Sequence, residues 1–197
     1  MPNWCANDIT IEHDDPAMLE KIVRIVNNDE SEDRGLFASF VPPPDTPAYR
    51  DEYDESQSEL HDDPTWWRNW NIENWGTKWE PNPDSIGWYQ EKSESNPAII
   101  KKIRLSFDTA WSPPLAFYGN LEELGYSIDA VFMEAGWGYW GNWKNGEIRH
   151  KGDLEYLVLE CEDEWIVDEA KSKEKALSLG ITEDVFNKCE LAHIRGG

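Results

Sequence analysis

Twelve tryptophans in a strongly acidic chain constrain the fold more than any other feature. Disordered acidic chains are poor in aromatics, whereas indoles supply large areas that must be covered, so this composition describes a folded domain with an acidic surface. Two stretches carry the pattern. Asn74-Trp75-Gly76-Thr77-Lys78-Trp79 and Phe107-Asp108-Thr109-Ala110-Trp111-Ser112-Pro113-Pro114 set tryptophan beside small, turn-forming and hydroxyl residues. That mixture suits a packed surface with polar groups fixed at its edge. The two stretches read as a seam holding an insertion to the fold, with Trp75, Thr77, Lys78, Trp79 and Trp111 as the walls of a candidate ligand pocket.

Around these stretches the periodicity alternates between strand and helix. Cys5 to Glu12 alternates as a strand. Asp15-Pro16 reads as N-cap and first helical residue, followed by Met18, Leu19, Ile22, Val23, Ile25 and Val26 at helical spacing. Gly35 to Val41 is expected as a short apolar strand closed by three prolines, and Pro42 to Pro64 as an exposed insertion. Asp63-Pro64 is expected to cap a short helix on which Trp66 and Trp70 share a face with Trp67 nearby. Pro81, Pro83, Gly87 and Pro97 allow only short regular pieces after it.

Ile99 to Phe107 alternates as a strand, with Ile103, Leu105 and Phe107 inward. Ser112-Pro113 is expected to cap a helix that carries Leu115, Tyr118, Leu121 and Leu124 and ends at Gly125. Ser127 to Glu134 reads as a strand. Asn145-Gly146, the preferred pair for a two-residue turn, then makes the run from Gly136 a hairpin. Leu154 to Glu160 reads as a further strand, Asp168 to Leu179 as a charged helix, and Thr182 as the cap of a last short helix. The expected fold is α+β, a βαββαβ sandwich with an antiparallel sheet. Its core spans about 3–41 and 99–160, with an acidic, Trp-rich helical insertion over 42–98 and a C-terminal hairpin and helical extension, the helical part over 161–197, in a single domain 1–197.

The opening Met1-Pro2-Asn3-Trp4-Cys5-x-Asn7, the Asn74 to Trp79 motif and Trp111-Ser112-Pro113-Pro114 together resemble the YubB ferredoxin-like family of phages and conjugative plasmids. The resemblance implies a ferredoxin-like sandwich and a mobile-element origin. It implies no established reaction, and fold alone would not supply one.

Forty acidic against eighteen basic residues give a formal charge of −22. Nucleic acids and anionic membranes are bound by lysine and arginine displacing counterions, so this balance disfavours both and favours a basic protein partner. The carboxylates cluster: eight against two bases from Glu12 to Asp33, eight against one from Asp45 to Asp63, and eight against none from Asp153 to Glu169. Closely spaced carboxylates imitate nucleic-acid phosphates, so Asp51, Glu52, Asp54 and Glu55 with Glu162, Asp163 and Glu164 are candidates for occupying the basic channel of a host defence protein. Trp137, Tyr139, Trp140 and Trp143, in a glycine-rich hairpin, are expected as exposed aromatics of the same interface.

Catalytic signatures are missing: no G-x-S-x-G, phosphate-cradling glycine loop or H-E-x-x-H occurs, and neither a catalytic residue nor a cofactor is implied. His13-Asp14-Asp15 and His61-Asp62-Asp63 resemble metal-ligand triads, yet each stands where a helix N-cap is expected, so capping takes precedence over metal binding. Cys5, Cys161 and Cys189 form no C-x-x-C pair, which suits a reducing cytoplasm, and Cys5 on an apolar strand reads as an inert buried thiol. The leading expectation is a non-enzymatic accessory protein that binds a host protein in the host cytoplasm. The alternative is a module that sequesters or processes a nucleotide or nucleotide second messenger in the Trp75–Trp111 pocket. Contact with single-stranded DNA would require a basic strip from Lys92, Lys101, Lys102 and Arg104.

Overall fold

Strand β1, Trp4–Glu12, lies at the centre of an antiparallel sheet of six strands. The computed structural model describes residues 3–27, 35–50, 63–134, 136, 139–153 and 177–178. The other strands are β2, Gly87–Lys92, β3, Ile100–Ala110, β4, Ser127–Glu134, β5, Tyr139–Lys144, and β6, Glu147–Asp153. Their order across the sheet is β2-β3-β1-β4-β5-β6. The helices are α1, Pro16–Val26, the short α2, Pro47–Arg50, α3, Trp67–Asn74, and α4, Leu115–Glu123. No described helix is long and apolar enough to cross a membrane.

Register explains why one face is core. Cys5, Asn7, Ile9 and Ile11 pair with Thr109, Phe107, Leu105 and Ile103 of β3, and with Glu134, Phe132, Ala130 and Ile128 of β4. Directly opposed residues point the same way, so these twelve side chains share a face. Helix α1 covers that face with Leu19, Ile22 and Ile25, while α4 covers it with Phe117, Tyr118 and Leu121. Phe37 is fully buried among them, its ring centroid 4.4 Å from Phe117, 5.7 Å from Trp75 and 5.9 Å from Phe107. Each such side chain contributes roughly 1.5–3 kcal/mol by burial. On the opposite face Ala6, Ala110, Met133 and Trp140 are buried, as is Asp8, whose carboxylate is gripped by Nε and Nη2 of Arg104 at 2.8 and 2.6 Å.

The expected starts and stops hold at several places. Asp15 accepts from Ala17 N–H at 2.9 Å with Pro16 as the first residue of α1, and His13 Nδ1 accepts from Asp15 N–H. Gly125 closes α4 at φ +92°, and Asn145 and Gly146 turn the β5–β6 hairpin at φ +53° and +76°.

Three expectations are corrected. Gly35 to Val41 is a turn, because Glu80 accepts from the backbone N–H of Phe37 and Ala38, and Val41 N–H bonds back to Phe37 O. Those groups are therefore unavailable to a sheet. The position beside β3 belongs instead to β2, Gly87–Lys92, which lies inside the segment read as insertion. Asp63 closes a turn with Thr65, and α3 begins later with Trp66 at the N-cap position, its side chain making no capping bond to the helix. Ser112 does not cap α4; its hydroxyl donates to Gly76 O at 2.7 Å. The strand expected over 154–160 and the last short helix opened by Thr182 lie outside the described residues, as does the helix over 168–179 apart from 177–178.

Candidate functional site

The three sequence motifs meet at one corner of the sheet. The buried Asn7 amide donates to Cys5 O at 2.8 Å and to Thr109 Oγ1 at 2.9 Å, and accepts from Tyr118 O–H at 3.1 Å. Thr109 in turn donates to Ser112 O at 2.7 Å. Thr77 is fully buried and donates to Ala110 O at 3.0 Å, while Phe117 N–H donates to Trp75 O at 3.2 Å. Gly76 has φ +86°, and a Cβ there would lie 2.8 Å from Leu115 N. The Asn74–Trp79 stretch is thus bonded to the end of β3 through the Thr77 hydroxyl and to the start of α4 through the Trp75 carbonyl, as the seam reading expects.

Trp111 stands at the outer end of this network. Its backbone is left-handed, φ +68°, a region a bulky L-residue enters only when its surroundings hold it there. They do so from two sides: Trp111 N–H donates to Asn3 O at 2.9 Å, and Tyr139 O–H donates to Trp111 O at 2.7 Å. Burial pushes the Tyr139 phenol well above its ordinary range, so it stays a donor.

Held this way, Trp111 faces Trp79 at a centroid distance of 6.4 Å and an interplanar angle of 31°. The Lys78 ammonium is 4.3 Å from the Trp79 centroid, 4.9 Å from Trp111 and 5.6 Å from Trp67. Such distances place a cation in the attractive field of three ring faces. Burial lowers the Lys78 pKa, and the nearby Arg68 charge lowers it further. Lys78 O accepts from the buried Asn71 amide at 2.8 Å, and Asn71 accepts from Tyr49 O–H at 2.8 Å, so the backbone beneath the ammonium is fixed. Trp79 and Trp111 each remain 37% exposed, and Trp4, which pairs with Ala110 at the end of β1, 50%.

Of the five candidate pocket residues, the structure brings Lys78, Trp79 and Trp111 together. Trp75 is core, its Nε1 donating to Val41 O at 3.0 Å, and Thr77 belongs to the seam. Of the four hairpin aromatics expected to be exposed, the three described ones are wholly or partly covered. Trp140 is buried, and Tyr139 and Trp143 are half-buried, because Tyr139 reaches Trp111 and Trp143 packs 6.2 Å from Tyr118. Trp143 Nε1 is buried with no acceptor among the described residues. Trp137 and the acidic candidates Asp51, Glu52, Asp54, Glu55, Glu162, Asp163 and Glu164 lie outside the described residues.

The basic strip is partly cancelled, since Arg104 is committed to Asp8 and Lys102 pairs with Glu12 at 2.9 Å. Among the described residues no three His, Cys, Asp or Glu side chains group to hold a metal. Trp67, Arg68 and Trp4 were missed from sequence. Trp67 is one residue round the helix from the Trp66–Trp70 face and therefore points elsewhere, a signal that the 3.6-residue period contains.

No protein-family model matches the chain, and no curated protein matches it. Among solved structures the chain is similar to the crystal structure of api92 from Yersinia pseudotuberculosis, which carries the family model DUF1281. The two are 10% identical, with a TM-score of 0.45 over 78% of this chain and 98% of that one.

Proposed function

We propose that this is a non-enzymatic accessory protein that binds a basic host protein, steered by its acidic surface and anchored at the Trp79–Trp111 corner. The observation that carries the reading is the pair of partly exposed tryptophans Trp79 and Trp111 beside a hydrogen-bonded seam, with the exposed Trp4 at the end of the neighbouring strand, in a chain of charge −22. Tryptophan is the residue most enriched among interface hot spots, and a seam that already fixes it removes the ordering cost of binding. A single-signed field adds speed and salt sensitivity to such an encounter. With the phage and plasmid resemblance, the expected partner is a nucleic-acid-binding component of host defence. The β1-α1-β2-β3-α4-β4 order and the β2-β3-β1-β4 adjacency support reading the core as a ferredoxin-like sandwich extended by the β5–β6 hairpin. The nucleotide alternative has less support, since Trp75 and Thr77 are sealed in the seam and Lys78 already occupies the ring faces.

The test is affinity capture from lysate of the natural host, followed by titration of the purified captured protein across a salt series. A basic protein whose affinity falls steeply with salt is expected, and reversing Asp51, Glu52, Asp54 and Glu55 together with Glu162, Asp163 and Glu164 should abolish its binding. Retention that is indifferent to salt and to both reversals would sink the reading.

A further inference from the structure

We propose that Trp67, Trp79 and Trp111 form a cation-accepting cage for one lysine or arginine side chain of the partner, and that Lys78 is its resident placeholder. This rests on the reading of the partner as a basic protein, and adds the site, the chemistry and the competition.

The geometry is that of an ammonium-binding cage, with three indole faces around one nitrogen at 4.3, 4.9 and 5.6 Å. The nitrogen occupying it belongs to the chain itself. Four other described cations are answered by carboxylates, Arg104 by Asp8, Lys102 by Glu12, Lys144 by Asp129 and Arg50 by Asp45, while Lys21 lies 4.3 Å from a single ring, Phe40, and donates to Ser39 O. Lys78 has no carboxylate partner among the described residues, although acids outnumber bases by more than two to one, forty to eighteen. Among the described residues its ammonium meets ring faces and, beside them, the like charge of Arg68. An occupant so held is replaceable.

The replacement needs no backbone movement. Lys78 is anchored through its carbonyl to Asn71, so its four-carbon stem can swing outward while the seam stays intact. The Trp111 backbone stays in place as well, because its N–H and C=O are held by Asn3 and Tyr139. An incoming lysine or arginine would meet a preformed, partly exposed cage in a protein whose charge attracts it. A phosphate or other anion would find the ring faces unfavourable, since their quadrupole is negative. Lys78 keeps the cage filled until a partner side chain competes for it, which lowers the apparent affinity by the fraction of cages left open.

The experiment uses the full chain and follows the indole N–H resonances while titrating acetyl-arginine amide, acetyl-lysine amide, tetramethylammonium chloride or AMP, against sodium chloride of equal ionic strength. K78A should bind the first three about 10-fold more tightly than the wild type, as removal of an internal competitor predicts. W79L and W111L, made in the K78A background and verified as folded by their melting transitions, should lose that binding. Failure of K78A to gain affinity for any of the three would overturn the proposal, as would AMP binding that K78A abolishes. A purified basic partner held equally by wild type, K78A and W79L would overturn the cage and leave the host-protein reading standing. Probe binding by K78A with no basic partner captured would keep the cage and remove that reading.

Discussion

The Lys78 ammonium lies 4.9 Å from the centroid of Trp111, a residue whose own backbone is held at φ +68°. Left-handed backbone costs an L-residue roughly 1–2 kcal/mol, and here it coincides with the outermost indole of the corner. Strain stored where a side chain is presented outward is a common mark of a functional position. It also separates stability from recognition, because the backbone cost and the ring can be removed together.

Trp111→Gly removes both. The substitution should leave stability unchanged or raise it by up to about 1 kcal/mol, as the relieved strain offsets the packing of an indole that is already partly exposed. Binding to the captured partner should fall at least about 10-fold, as expected for loss of an anchoring tryptophan. Urea denaturation and a binding titration on the same preparation check the pair of outcomes. A large loss of stability would mean that Trp111 is a packing residue and not a presented one.

Glycines 76 and 119 make a contrast of sign. At Gly76, φ +86° and a Cβ 2.8 Å from Leu115 N leave an alanine no room against backbone. Gly76→Ala should therefore cost on the order of 2–4 kcal/mol and loosen the seam beneath Lys78. Gly119 lies inside α4, where an added Cβ would meet nothing within 4 Å, so Gly119→Ala should gain about 0.5–1 kcal/mol from helix propensity. Shifts of the same sign in urea midpoint would contradict the assignment.

Much of this was readable along the chain. β4 was bounded correctly as Ser127–Glu134, α1 was placed by Asp15-Pro16, and the hairpin by Asn145-Gly146, because each depends on local backbone chemistry. The β2 edge strand was not, since its six residues stand between prolines and its pairing with β3 is non-local. Gly35 to Val41 failed for the same reason: a carboxylate forty-odd positions away, Glu80, takes the N–H groups that a strand would use. At the site, residue type identified Lys78, Trp79 and Trp111. Composition alone could not show that Trp75 faces the core and that Trp67 comes round the helix to complete the cluster.

Asp8 and Arg104 test how the opposite face is held. Asp8 is buried and bidentate to a guanidinium that is only half-covered, so Asp8→Asn weakens two charge-assisted hydrogen bonds while the remaining charge reaches solvent, and should cost roughly 1.5–3 kcal/mol. Asp8→Leu combined with Arg104→Met should cost less than Asp8→Asn alone, because replacing both members with apolar groups removes the desolvation penalty. Chemical denaturation of the three variants decides the order. If the double replacement is the least stable, the pair contributes net stability of its own.

Glu80 supplies a pH dependence whose sign follows from burial. Burial pushes its carboxyl up from 4.5 to about 7, against the opposing pull of the Phe37 and Ala38 N–H groups. The folded state therefore favours the protonated form relative to the unfolded chain. That contribution is fully present below pH 4.5 and is lost as the pH rises through about 7. At about 1.4 kcal/mol per pH unit the loss is on the order of 3 kcal/mol. Rising self-repulsion among the other carboxylates also destabilises the protein over this range, so the wild type alone does not isolate the effect. Glu80→Gln does, because it keeps an acceptor for the turn and carries no titrating group. The wild type should lose stability relative to Glu80→Gln between pH 4.5 and 7, followed by urea midpoints at half-unit steps. Two parallel curves would mean that the N–H groups of the turn offset burial and leave the Glu80 pKa unchanged by folding.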